Sequence, residues 1–275
     1  MAINSRLTES DVRKIIIDAN TQLSKNSKHN DIIGDQVFKL LEQNCRVLYY
    51  PLEEDDVWGF TERIKDMLFV CINTSIPYEK QIFAAAHELY HIWFDAKDAR
   101  EVILSSNLEE TESDNIDINE LKANRFAAEF LAETKLLEQE IARFGIATGN
   151  ISIKEVLRLC DIFTIPYKTM ARRLHEIGVV DISTLAKLLS ATDEDIAVWN
   201  KILGITAPYK QNYIRLDNLI ERSVELYKHN LITYEKLEYL LGFAGVSPAE
   251  IDIVKPVYTS LTDNEIAEIL GEDND

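Results

Sequence analysis

A chain of 275 residues is long enough for one large domain or two modest ones around a real hydrophobic core. Its formal net charge of −18 excludes a concentrated basic surface, so direct binding to nucleic acid is not expected and a basic partner or substrate segment suits it better. No apolar run reaches membrane-spanning length, and residues 1–10 lack the basic-then-apolar layout of a secretory signal. Cys45, Cys71 and Cys160 are odd in number and have no paired metal-binding spacing. These features point to a cytoplasmic protein whose thiols are reduced and serve as small core hydrophobes.

Thr8-Glu9-Ser10-Asp11 is a capping pattern, and Val12, Ile15, Ile16 and Ala19 follow at helical spacing until the polar run 24–30. A second helix is expected from Asp35 as its cap, with Val37, Phe38, Leu40 and Leu41 facing inward. Residues 46–52, 58–64 and 67–73 are rich in strand formers, with a tight turn at Lys65-Asp66 joining the last two. A small antiparallel sheet is expected from them. Its 67–73 strand is either an internal strand or an edge able to hold an extended peptide by main-chain hydrogen bonds.

Pro77 then opens a helix whose centre, residues 81–94, is apolar on nearly every side and is therefore expected to be buried. Yet this helix carries His87, Glu88 and His91, and buried polar groups need partners. His87 and His91 are one turn apart, so both imidazoles leave the same stripe and can share a metal ion. Glu88 is rotated to the side, where it reaches a metal-bound water without becoming a ligand. The pattern is H-E-x-x-H, the arrangement of a zinc hydrolase.

After a polar exit at 95–100, residues 101–117 are acidic with no Lys or Arg, as expected of a long solvated loop or a lid. A strong helix follows over 119–131. Glu120 and Asn124 stand one turn apart on it, with Ala123 and Ala127 leaving room beside them. Glu120 is the expected third zinc ligand, and Asn124 is expected to accept a ligand imidazole's N–H. Glu129 and Glu133 compete for the ligand role, although Glu129 lies about half a turn around from Glu120.

Ser152-Ile153-Lys154-Glu155 is a capping box for another helix, 163–166 turns the chain, and a helix from Tyr167 closes at Gly178. The pair at 152–178 has helix-turn-helix spacing, with Lys168, Arg172 and Arg173 on its second member, but such pairs are common as plain packing. Beyond Asp181 the pattern is wholly helical, with segments near 183–190, 193–203, 211–228 and 234–242, one starting at Ser247-Pro248, and a last one at 262–271. This part carries no catalytic motif and reads as a partner-binding module or a stabilising extension.

The run from Phe83 to His91 and the run from Glu120 to Leu131 together resemble the ImmA/IrrE family of zinc metallopeptidases over about 33–180, including Arg172-Arg173-Leu174 and Ile177-Gly178. The resemblance implies a cytosolic peptidase that cleaves a helix-turn-helix repressor of the Xre type. By it, His87, His91 and Glu120 match the metal ligands and Glu88 the catalytic glutamate. Two positions depart from the family. Tyr90 stands where Gly is frequent, and Ala132-Glu133 stands where Met-Pro is frequent, so the helix is expected to run on.

The fold expected is α+β: a mainly helical, zincin-like metallopeptidase domain with a small antiparallel sheet over 1–180, then an all-α module over 181–275. The function expected is zinc-dependent endoproteolysis of a repressor or antitoxin-like protein. The alternative is a non-catalytic regulator or antitoxin that binds a partner or DNA around a structural zinc. Tyr90, Tyr167, Arg125 and His175 are all open as donors to the reacting carbonyl oxygen.

Overall fold

The computed structural model describes residues 7–28, 30–64, 67–95, 103–106, 117–147, 151–206, 211–216 and 218–256, with the backbone alone at 64 and 103–106. The segments expected at Lys65-Asp66 and 262–271 lie outside these residues. The protein is α+β and divides into two compact units, Met1–Asp217 and Asn218–Asp275. No helix among the described residues is long and apolar enough to cross a membrane.

Two helices open the first unit. Helix α1 (Glu9–Lys25) starts at a full capping box between Thr8 and Asp11. Helix α2 (Gln36–Asn44) follows Asp35, whose side chain makes no capping hydrogen bond, contrary to its expected role; the residue is itself helical in backbone. Strands β1 (Arg46–Tyr50), β2 (Val57–Ile64) and β3 (Met67–Asn73) come next. Among the described residues they join β4 (Ile103–Ser106) and β5 (Arg215–Leu216) in one sheet of order β4-β2-β3-β1-β5.

The sheet is mixed rather than antiparallel. β3 pairs antiparallel with β2 and parallel with β1. The reason is topological: the chain reverses after β1 and again after β2, so β3 runs with β1, and it inserts between the other two. This also makes β3 internal, which removes it as an edge for peptide; the outer position beyond β2 belongs to β4. Four residues of the acidic 101–117 stretch are thus a strand and not loop.

Helix α3 (Tyr78–Tyr90) lies against this sheet, α2 and the later helix α4 (Ile118–Leu131). Ala84, Ala85 and Ala86 have no exposed surface, and their small side chains allow backbones to approach from several directions at once. Past Tyr90 the helix widens into a π-helical turn over His91–Asp95. Tyr90, Trp93, Phe94, Phe126 and Phe130 form an aromatic cluster that fixes this turn on α4, with Phe126 and Phe130 stacked at 5.4 Å.

Helix α4 stops at Leu131 instead of running on, and α5 (Thr134–Arg143) begins directly after Glu133. Side chains make this break. Arg173 Nε donates to the Ala132 carbonyl at 3.1 Å, and the Thr134 amide and hydroxyl both donate to Glu129 Oε1. Helices α6 (Ile153–Phe163) and α7 (Tyr167–Glu176) follow, the first with the Ser152–Glu155 capping box and a left-handed Thr164 at its end.

Helices α8 (Ile182–Leu189) and α9 (Asp193–Leu203) pack on α7 and α6, with Leu185 and Leu188 buried in the main core. The first unit therefore runs past the boundary expected near 180. The 211–228 segment is not one helix. Arg215 and Leu216 pair with β1, and the Arg215 guanidinium lies 4.3 Å from the Tyr49 ring centre and pairs with Glu42. The part beyond 181 is accordingly not all-α. The second unit holds α10 (Leu219–Lys228), α11 (Tyr234–Gly242) and a 3-10 turn, Pro248–Ile251, with a Ser247–Glu250 capping box.

Candidate metal centre

His87 and His91 project from the last turn of α3 and the first residue of the π-helical turn, and both are at most 1% exposed. α4 brings Glu120 to them from its first turn. Glu120 Oε2 is 3.1 Å from His87 Nε2, its Oε1 is 3.3 Å from His91 Nε2, and the two Nε2 atoms are 3.0 Å apart. Among the described residues these three side chains form the ligating group that converges. Tetrahedral bonds of about 2.0–2.1 Å have ligand–ligand edges of about 3.3 Å, close to all three separations.

The outer nitrogens explain why a cation fits. His87 Nδ1 lies 2.8 Å from Asn124 Oδ1, and His91 Nδ1 lies 3.2 Å from Asp95 Oδ2. Both oxygens are acceptors, so each imidazole carries its hydrogen on Nδ1 and turns the Nε2 lone pair inward. Two nitrogen lone pairs and a carboxylate then face one another at about 3 Å, which only a positive charge between them makes favourable. Among the protein groups alone, burial opposes charge on both His91 and Glu120. Hydrogen bonds with Asp95 and Glu120 nevertheless push His91 up to about 10, and those with His87 and His91 hold Glu120 down at about 2. The centre therefore calls for positive charge, either a proton shared by His91 and Glu120 or a cation in its place.

Glu88 is fully buried beside this group. The Thr61 hydroxyl of β2 donates to its Oε2 at 2.5 Å. Cys45 and Cys71 are near it too: burial, with the charge of Glu88 added, pushes both thiols up to about 12, which favours the neutral thiol.

Of the residues singled out from sequence, His87, His91, Glu120 and Asn124 come together here, with Glu88 adjoining. Glu129 does not. It is bound to Arg173 Nη2 at 2.6 Å and to Arg125 Nη1 at 3.3 Å, in a buried ion cluster that includes Glu176. Glu133 is buried at the α4–α5 junction, outside the converging group. Three of the residues open as carbonyl donors are engaged elsewhere: Arg125 in that cluster, Tyr167 with the Leu188 carbonyl, and His175 with the Val180 carbonyl. Tyr90 packs its ring against His91 and Phe126. Arg173 being inside the ion cluster also removes it from any phosphate-binding face on α7.

Two site residues were missed by sequence reasoning. Asp95 lies one turn after His91, a spacing that would have pointed to it. Thr61 has no local signal, because only the sheet register brings it near α3.

A buried H-E-x-x-H helix on a mixed sheet, completed by a carboxylate from a second helix, is the arrangement of a metallopeptidase-like domain. Residues 41–175 match the family model Peptidase_M78, described as an IrrE N-terminal-like domain, which is consistent with the ImmA/IrrE resemblance. The match spans β1 to α7 and contains every residue of the centre. The matched family is one of peptidases, which suggests a protein substrate. No curated protein matches the chain.

Proposed function

We propose that this protein is a zinc-dependent endopeptidase that cleaves a helix-turn-helix repressor or antitoxin-like protein in the cytoplasm. The observation that carries the reading is the convergence of His87, His91 and Glu120 with Glu88 alongside, inside a Peptidase_M78 domain. The two histidines and Glu120 would hold zinc, which when bound lowers the pKa of a water and polarises a scissile carbonyl. Asn124 Oδ1 and Asp95 Oδ2 keep both imidazoles in the ligating tautomer. Glu88 takes a proton on its carboxylate from the attacking water and returns it to the leaving amine. The acidic chain favours a basic substrate segment, and a repressor's DNA-binding surface is basic.

The substrate need not be identified in advance to test this. Cells expressing the wild-type chain or Glu88→Gln are compared by labelling of newly created protein N-termini. New termini in a helix-turn-helix protein, present with the wild type and absent with Glu88→Gln, are expected. New termini confined to other proteins would discard the repressor and keep the peptidase. No wild-type-specific termini would discard both.

A further inference from the structure

Glu88 stands on α3 and is reached by a hydroxyl from strand β2. Thr61 is 1% exposed in the middle of β2, paired with Val70 of β3 on one side and Ile103 of β4 on the other. Its position is thus fixed from both flanks, and its β-branched side chain is stiff about χ1. The 2.5 Å separation from Glu88 Oε2 is that of a hydroxyl donating to a charged carboxylate.

The contact depends on how α3 lies along β2. At Gly59 an added Cβ would sit 3.6 Å from the Ala84 Cβ and 3.0 Å from the Cys71 carbonyl oxygen. Helix and strand are therefore in close contact there. Four residues along α3 rise about 6 Å, and two residues along β2 rise about 6.7 Å, so the two elements stay in step. Ala84 over Gly59 leads directly to Glu88 over Thr61. A glycine and an alanine set the approach, and the next pair in step is the hydroxyl and the carboxylate.

We infer that Thr61 is the positioning residue of Glu88, fixing one carboxylate oxygen so that the group presents a single orientation to the metal centre. The inference rests on the reading of Glu88 as the base. A glutamate side chain has several rotatable bonds, and orienting it in advance removes that cost from the reaction. The β2 hydroxyl does this at the strand next to β4, so the base is registered to the sheet.

Acetohydroxamate tests it without a known substrate, because it chelates zinc and gives a proton to a carboxylate placed as a base. The zinc-loaded full chain is titrated as wild type, Thr61→Ser, Thr61→Val, Thr61→Ala and Glu88→Gln, with zinc content and melting temperature measured for each. Thr61→Ser is expected to bind as the wild type does. Thr61→Val and Thr61→Ala are expected to bind about tenfold more weakly with zinc content unchanged, the usual scale for losing a hydrogen bond to a charged group. The alanine variant serves where the valine variant does not fold. Wild-type affinity in the folded Val and Ala variants, with only the melting temperature lowered, would overturn the inference and leave the hydroxyl a packing group. Equal affinity in wild type and Glu88→Gln would instead overturn the reading of Glu88 as the base, and the Thr61 inference with it.

Discussion

On the proposed reading, His87, His91 and Glu120 would supply the three protein donor atoms found together among the described residues. His87→Ala or His91→Ala should therefore abolish retention of the roughly single zinc expected per chain, as measured by elemental analysis. Glu120→Ala should weaken zinc strongly in a metal titration, whereas Glu129→Ala should leave affinity nearly intact while lowering stability. The reverse ranking would move the third ligand down α4. Asn124→Ala and Asp95→Ala should each cost about 10–100-fold in zinc affinity, because each fixes the tautomer of a ligand. These residues were legible because helical periodicity alone puts i and i+4 on one stripe, and Glu120 and Asn124 obey the same rule on α4. Thr61 obeys no such rule. It is 27 residues from Glu88, and only pairing between strands brings them together.

At the scale of elements, the α4–α5 break and α7 are joined by the buried Arg173–Glu129 pair, which is 0% exposed on both sides. Arg173→Met should destabilise the fold by about 3–5 kcal/mol, since it leaves the Glu129 charge buried without its closest partner. Denaturant unfolding measures this, and a change under about 1 kcal/mol would show the cluster to be dispensable. Helix starts supply a pH dependence. Hydrogen bonds with Thr8 and Thr192 lower Asp11 and Asp195 below the ordinary 3.8. For Glu155, burial works upward but the Ser152 hydrogen bonds prevail and lower it below 4.5. Folded values below unfolded ones mean support that is present above the ordinary carboxylate range and lost as pH falls through it. Amide exchange in the first turns of α1, α6 and α9 should accelerate relative to the core on acidification through that range. Capping was readable at Thr8 and Ser152 because the box is a local motif. At Asp35 the residue type suggested a cap that the backbone does not form.

On the scale of the whole molecule, the α+β class and nearly every helix followed from periodicity, while sheet order did not. Strand-forming runs identify strands but not neighbours, so the parallel β1–β3 pair and the internal place of β3 were not readable. The division of the compact units at Asp217 was not readable for a related reason. Nothing local in residues 182–189 says that α8 buries Leu185 and Leu188 in the first core. A chain truncated after Asp217 should keep a cooperative melting transition and full zinc content. One truncated after Val180 should aggregate, because it bares the core beneath α8 and leaves the β1 edge unpaired. Size-exclusion chromatography of both separates these outcomes.

The late strand has a consequence for synthesis. The 211–216 segment returns to the N-terminal sheet: the Asn212 amide donates to the Thr74 carbonyl, the Thr74 hydroxyl to the Tyr213 carbonyl, and Tyr213 O–H to Gln81 Oε1 on α3. The last of these joins residues 132 positions apart. A ribosome must release all of β5 before the β1 edge is sealed, long after the H-E-x-x-H helix has emerged. The H-E-x-x-H helix thus waits on the chain for its final support, and the nascent polypeptide passes through a stage with an open strand edge that a chaperone or a neighbouring chain can recognise.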